Sequence, residues 1–284
     1  NIDLWALGAT TQARTQLVDA VRAHGEKNGI TTLTLDWSDT DLPPLAVALA
    51  MAEPTATAFL SQHVKDSKLV SMVAAALKAI SENDRLTSHA VRIRRLLQEP
   101  TMGAGLAKQA NDHWLTNVFC NKSQARLFLL QPLSPNDTAS CTPAVRDLLL
   151  NQITPLLMGK PDGSITAILG DEGNGKSWLV AQSWLSLKEK PLMIVFTADD
   201  FSTISLVGDF TEILIVKLIA QTSGLISDAT RNRWRRKLKR WRNGERLDNL
   251  TLVVVIDGLN QRPHTDWGRI IEAMSIELDL IGGR

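Results

Sequence analysis

Cysteine is scarce in this sequence: only Cys120 and Cys141 occur, and neither stands in a CxxC pair or in Cys/His metal spacing. A disulfide framework and a cysteine-built zinc site are thereby excluded, and both residues read as free thiols of a reducing, cytoplasmic compartment. Long apolar runs are missing too. None approaches the ~18 residues of a membrane-spanning helix, so no membrane is expected among the partners, and the opening residues do not resemble a secretory signal. Excess charge of one sign is also absent. The 31 basic residues face 30 acidic ones, which leaves no global field to gather nucleic acid or anionic lipid. No internal repeat at solenoid periods is visible. His24, His63, His89, His113 and His264 are scattered without metal spacing. No Ser/His/Asp, Cys/His or nuclease-like carboxylate–lysine set emerges.

What remains is the composition of a folded protein, 44% apolar and 21% charged, with room in 284 residues for two domains. Asn1 at one end and Ile281–Arg284 at the other read as cut points in a longer protein. Ile2–Gly8 is a short apolar run closed by glycine and predicts a strand; residues 12–24 have helical periodicity; Thr31–Asp36 is β-rich. A turn at Pro43 and Pro44 leads into the Ala-rich helix Leu45–Met51. Mostly helix follows from Thr57 to Leu130, including Leu69–Ile80, His89–Leu97 and Leu106–Phe119. The stretch Gln131–Pro143, rich in Pro, Ser, Asn and Asp, is the expected linker.

Beyond it the pattern alternates. Helix is expected at Ala144–Leu157, strand at Ser164–Leu169, helix at Lys176–Leu187 and strand at Pro191–Thr197. Helices at Thr211–Thr222 and Asp228–Arg242, an apolar strand at Leu250–Ile256 and a helix at Trp267–Leu280 complete the series. Continuous apolar strands interleaved with helices imply an α/β fold whose mostly parallel sheet is covered on both faces. The expected domains are 1–135, an α/β and helical regulatory or connecting part, and 144–284.

Between the expected strand and helix lies Gly170–Ser177, which satisfies GxxxxGK[ST] in full. Its residue types suit a phosphate. Gly170, Gly173 and Gly175 permit backbone angles that turn successive N–H groups inward, with Asp171, Glu172 and Asn174 between them. Lys176 opens a helix whose positive dipole end lies beneath the anion. Lys176 reaches the β- and γ-phosphates, Ser177 gives its hydroxyl to Mg²⁺, and Trp178 follows on the first turn. About 80 residues later, Leu252–Asp257 is an apolar strand ending in one carboxylate, expected to hold Mg²⁺. Lys176 and Asp257 are the candidate catalytic residues; Ser177 and Asp257 are the candidate metal ligands.

This loop, with an apolar strand ending Asp257-Gly258-Leu259, resembles the NACHT type of STAND NTPase over residues 144–284. The small residue directly after the acidic one is the more specific part of the likeness. The resemblance implies a P-loop NTPase fold, ATP (or ADP) with Mg²⁺ as cofactors, and a switch that forms homo-oligomers when activated. In bacteria such proteins resemble antiviral defence receptors, so the implied trigger is an unidentified molecule such as a phage protein. It also implies that a sensor strand, helical lid and winged helix lie outside this sequence or are absent. One departure stands out: the family follows its Asp-Gly with acidic residues, where this chain has Asn260 and Gln261. An amide hydrogen-bonds water but cannot take its proton. Slow hydrolysis is expected unless Glu172, Asp199 or Asp200 supplies the base, the alternative being a structural module that keeps its nucleotide without cycling it; Asp199 and Asp200 also suit capping of the next segment.

Two weaker signals complete the sequence. Arg231–Arg242 is strongly basic, with Trp234, Leu238 and Trp241 on one helical stripe, which suits a surface helix docked by that stripe. Its cationic face alternatively suits nucleic acid, as in a remodelling ATPase, an acidic partner protomer or an anionic membrane surface. Gly8–Thr15 has the spacing of a second phosphate loop, but Ala13 and Arg14 replace the second glycine and the lysine; an ordinary strand–helix turn is the simpler expectation. Asp36 then serves as a cap or as a relic beside it. Trp114, Trp178, Trp184 and Trp267 suit core anchors.

Overall fold

The computed structural model describes residues 2–83, 86–129, 146–158, 165–201, 210–222, 224–243 and 251–281. Over these residues the chain is a mixed α/β protein, 65% helical, with two small parallel sheets of two strands each. It divides into two compact units, Asn1–Met102 and Gly103–Arg284.

In the first unit, β1 (Leu4–Gly8), α1 (Thr15–Lys27) and β2 (Thr31–Leu35) form a strand–helix–strand crossover. The strands pair in parallel from Leu4↔Thr31 to Gly8↔Leu35, the arrangement a helical crossover allows and a tight hairpin does not. Four helices follow: α2 (Pro44–Met51), α3 (Glu53–His63), α4 (Ser67–Ser81) and α5 (Leu86–Leu97). Pro44 starts α2, where its missing N–H costs nothing. Asp66 caps α4 by accepting the amides of Lys68 and Leu69. Leu33, Leu42, Val47 and Ile93 make the core of this unit.

The second unit holds α6 (Ala104–Cys120), α7 (Lys122–Leu129), α8 (Asp147–Met158), α9 (Lys176–Ser186), β3 (Leu192–Thr197), α10 (Phe210–Ala220), α11 (Asp228–Arg242), β4 (Leu252–Asp257) and α12 (Trp267–Ile281). β3 and β4 are parallel and in register from Leu192↔Leu252 to Thr197↔Asp257. Their side chains alternate between two cores. Leu192, Ile194, Phe196 and Leu252 pack with α10, α11 and α12. Met193, Val195 and Val253 pack with α6, α7, α8 and α9. Both faces are covered, which is why these strands are apolar throughout instead of alternating.

The outer edge of β3 is closed by side chains. Asn111 of α6 accepts the Met193 amide at 3.0 Å. Gln221, just past α10, accepts the Val195 amide at 2.9 Å and donates to the Val195 carbonyl at 2.6 Å. Both side chains are fully buried, so two amides satisfy a strand edge that would otherwise bury orphaned polar groups.

Two expectations change. The strand expected at Ser164–Leu169 does not form over 165–169: that segment makes no ladder, and Ile165 and Leu169 are 62% and 89% exposed. An apolar run supplies strand propensity, but a strand exists only where a neighbour takes its hydrogen bonds. The division between units falls at Met102/Gly103 rather than in the expected linker, because α6 and α7 supply Leu115, Phe119 and Leu129 to the core beneath β3. The linker itself, 131–143, lies outside the described residues, as does Cys141; Cys120 is a free, exposed thiol. No single helix among the described residues is long and apolar enough to cross a membrane.

Candidate functional site

Gly170–Ser177 joins the unpaired segment 165–169 to α9. Gly173 and Gly175 have φ of 81° and 69°, and Gly170 has φ of 158°. Gly175 is the N-cap of α9 in a left-handed conformation, and no side chain caps the first turn. A residue with a Cβ would be strained at 173 and 175, so the glycines stand where the backbone requires them. The amides at the helix start and its dipole form an anion-attracting end.

Lys176 folds back over this loop: its Nζ donates to the carbonyls of Gly170 and Asp171 at 2.8 and 2.9 Å. Ser177 Oγ donates to Asp257 Oδ1 at 2.7 Å, across 80 residues of sequence. The helix after the loop and the carboxyl end of β4 are thereby brought to one point. A hydroxyl and a carboxylate at that separation are hard oxygen donors that suit Mg²⁺ held jointly with a ligand's phosphate oxygens. Among the described residues no group of three His, Cys, Asp or Glu gathers as an all-protein metal site.

Gly258, with φ of 79°, turns the chain out of β4. At that φ a Cβ is strained whatever the space, so the small residue after Asp257 is dictated by the backbone; a Cβ there would also lie 2.9 Å from the end of the Gln261 side chain. Leu259–Gln261 forms a 3-10 turn, and Trp267 Nε1 donates to the carbonyls of Leu259 and Arg262 at 3.0 and 3.1 Å. Glu172, Lys176, Ser177, Asp257 and Asn260 line one cavity of about 540 Å³, whose apolar wall includes residues of α8 and β4. Of the two amides that follow Leu259, Asn260 lines that cavity and Gln261 folds back over Gly258.

The other candidate carboxylates are engaged. Asp200 accepts the amide and hydroxyl of Thr197 and pairs with Lys217 at 2.7 Å, a capping role. Asp199 accepts from Nε and NH2 of Arg262 at 3.1 and 2.8 Å. Trp178 packs at the margin of the core beneath α9, and Trp184 is fully buried there against Phe119, 5.8 Å between ring centroids.

The basic helix α11 docks as its stripe suggests, with Trp234, Leu238 and Trp241 buried. Its cations are partly committed. Arg235 makes a two-pronged contact with Glu212, 2.7 Å at NH2, and holds that carboxyl below its ordinary range. Arg242 bonds Glu277. The loop after β1 is a plain strand–helix turn: Ala13 N–H donates to Asp36 Oδ2 at 2.9 Å, and Ser38 Oγ to Oδ1 at 2.7 Å. Burial pushes the Asp36 carboxyl up, but the hydrogen bonds from Ala13 and Ser38 outweigh it and hold it below its usual value.

Sequence reasoning did not find Arg146, whose NH1 donates to the Asn174 carbonyl at 2.6 Å; a lone arginine ahead of a helix carries no distinguishing pattern. The Arg262–Asp199 pair was equally silent in sequence. Comparison of the chain with protein-family models, with curated proteins and with solved structures gave no match.

Proposed function

We propose that this chain is the nucleotide-binding part of a STAND-like NTPase switch, with a NACHT-type P-loop domain over 144–284 that binds ATP or ADP with Mg²⁺ at Gly170–Ser177. The observation that carries the reading is the Ser177–Asp257 contact at 2.7 Å, which joins the two halves of the motif across the fold. Bound Mg-ATP supplies a phosphoanhydride and the charge that this loop is built to hold. Lys176 would exchange the carbonyls of Gly170 and Asp171 for the phosphates, which it would meet as a point charge. Ser177 and Asp257 would hold the ion, and the amides of the loop and of the first turn of α9 would orient the phosphates. Hydrolysis is slow in this reading. Asn260 orients water without accepting its proton, Asp199 and Asp200 are occupied by Arg262 and Lys217, and Glu172 is the carboxylate left beside the cavity.

A switch needs differential affinity. Moving a two-state equilibrium from 1:99 to 99:1 takes a preference of about 10⁴ for one state, so nucleotide must bind the assembling form far more tightly. Homo-oligomerisation on activation, in answer to a trigger such as a phage protein, is the proposed output.

The test compares ATP binding, turnover and oligomer size for the chain and its Lys176→Ala and Asp257→Asn variants. Lys176→Ala is expected to abolish binding, and Asp257→Asn to remove its Mg²⁺ dependence. Variants indistinguishable from the parent in all three measurements would overturn the reading. Turnover stimulated by DNA or RNA with a steep salt dependence would instead favour a remodelling ATPase acting through α11.

A further inference from the structure

We propose that Arg146 is a positioning residue of the glycine-rich loop, setting the direction of the Gly175 amide; this rests on the reading of that loop as a phosphate site. Arg146 stands immediately before α8, half-buried and 28 residues ahead of the atom it touches. Its NH1 donates to the Asn174 carbonyl at 2.6 Å. Its guanidinium nitrogens lie 3.9 and 4.0 Å from where a Cβ on Gly175 would be.

The peptide bond gives this contact its consequence. No peptide is cis among the described residues, and in a planar trans peptide the C=O of one residue and the N–H of the next point in opposite directions. Drawing the Asn174 oxygen towards Arg146 therefore aims the Gly175 N–H to the other side. Lys176 acts likewise at the start of the loop, through the carbonyls of Gly170 and Asp171. The two cations differ in one respect. Lys176 must leave its carbonyls to meet a phosphate, whereas Arg146 holds Asn174 from outside the loop and keeps doing so.

Glycine at 175 gives the backbone the freedom to adopt φ of 69°, and equally the freedom to leave it. Arg146 restricts that freedom before any ligand arrives, which lowers the ordering cost of binding. The same contact links the loop to α8, whose Ile153, Leu156 and Leu157 line the adjoining cavity.

The experiment measures Kd for Mg-ATP and Mg-ADP, and amide hydrogen exchange over Gly175–Ser177 without nucleotide, in the full chain. The proteins compared are the parent, Arg146→Ala, Arg146→Lys and Lys176→Ala. Arg146→Ala is expected to weaken ATP and ADP alike by about tenfold, the scale of ordering one backbone residue that is no longer held before binding, and to speed loop exchange before nucleotide is added. Arg146→Lys should recover part of both, since an ammonium reaches the carbonyl through fewer donors. Parent-like affinity and exchange in Arg146→Ala, with binding lost in Lys176→Ala, would overturn the Arg146 role and leave the nucleotide site standing. A loss confined to ATP with unchanged exchange would also overturn it, showing direct contact with the terminal phosphate instead. A parent chain that binds neither nucleotide would overturn both proposals.

Discussion

Replacing Gly258 by Ala tests the geometry that places Asp257. At φ of 79° an L-residue is left-handed, a conformation that costs roughly 1–2 kcal/mol when a Cβ is present. The added methyl would also sit 2.9 Å from Cδ and Oε1 of Gln261, too close to persist. That neighbour is the end of a flexible side chain and can rotate away, so the backbone term dominates. A loss of about 1–2 kcal/mol lowers the melting temperature by about 2–8 °C, at about 2–4 °C per kcal/mol for a unit of this size. Urea and thermal unfolding of the whole chain measure it. The sign is what makes the test sharp. At an ordinary negative φ, Gly→Ala stabilises by about 0.4–1 kcal/mol through the unfolded state, so an unchanged or more stable variant would refute the left-handed turn. Gly258→Ala combined with Gln261→Ala separates the causes: the loss should persist if the backbone carries it and vanish if the contact does. Gly258→Asn, a residue that tolerates this conformation better, should recover part of the backbone cost while keeping the contact.

Gln221→Leu strips the Val195 amide and carbonyl of their partners in a fully buried setting. Each orphaned group costs about 1–3 kcal/mol, so a loss of about 2–6 kcal/mol is expected in urea unfolding, and one under about 1 kcal/mol would mean the β3 edge is satisfied otherwise. Asp36 titrates below its ordinary value of 3.8 when folded. Its contribution is therefore present above that value and lost as pH falls through the lower folded one. The stability gap between the chain and Asp36→Asn should hold at neutral pH and narrow in acid as pH falls below the ordinary value of 3.8; a gap that widens in acid would contradict the hydrogen bonds from Ala13 and Ser38.

Much of the element order was readable because it rests on local chemistry. Glycine and proline punctuation marked β1, β2 and α2, and helical spacing marked α4, α6, α9 and α11. The apolar runs of β3 and β4 were legible as buried strands because nothing in them favours water on either face. The residues of the loop were legible for the same kind of reason: positive φ at Gly173 and Gly175 selects glycine whatever the rest of the fold does. The 165–169 segment shows where this stops. Its apolar side chains satisfy the pattern of a strand, but pairing depends on which backbone lies alongside, and a pattern on one segment carries no record of its neighbour.

The sequence by itself determined the local requirements: the glycines of the loop, the lysine and serine at the start of α9, the carboxylate at the end of β4 and the small residue after it. Tertiary structure alone decided which of these meet. Ser177 and Asp257 converge because β4 pairs with β3 over the helix that follows the loop. Asn111 and Gln221 close the sheet because α6 and α10 bring buried amides to its edge. Arg146 reaches Asn174 because α8 starts beside the loop. Backbone conformational preference acts within a few residues and is written into them; the partner of a hydrogen bond is fixed only when distant segments pack, and so it appears only in the fold.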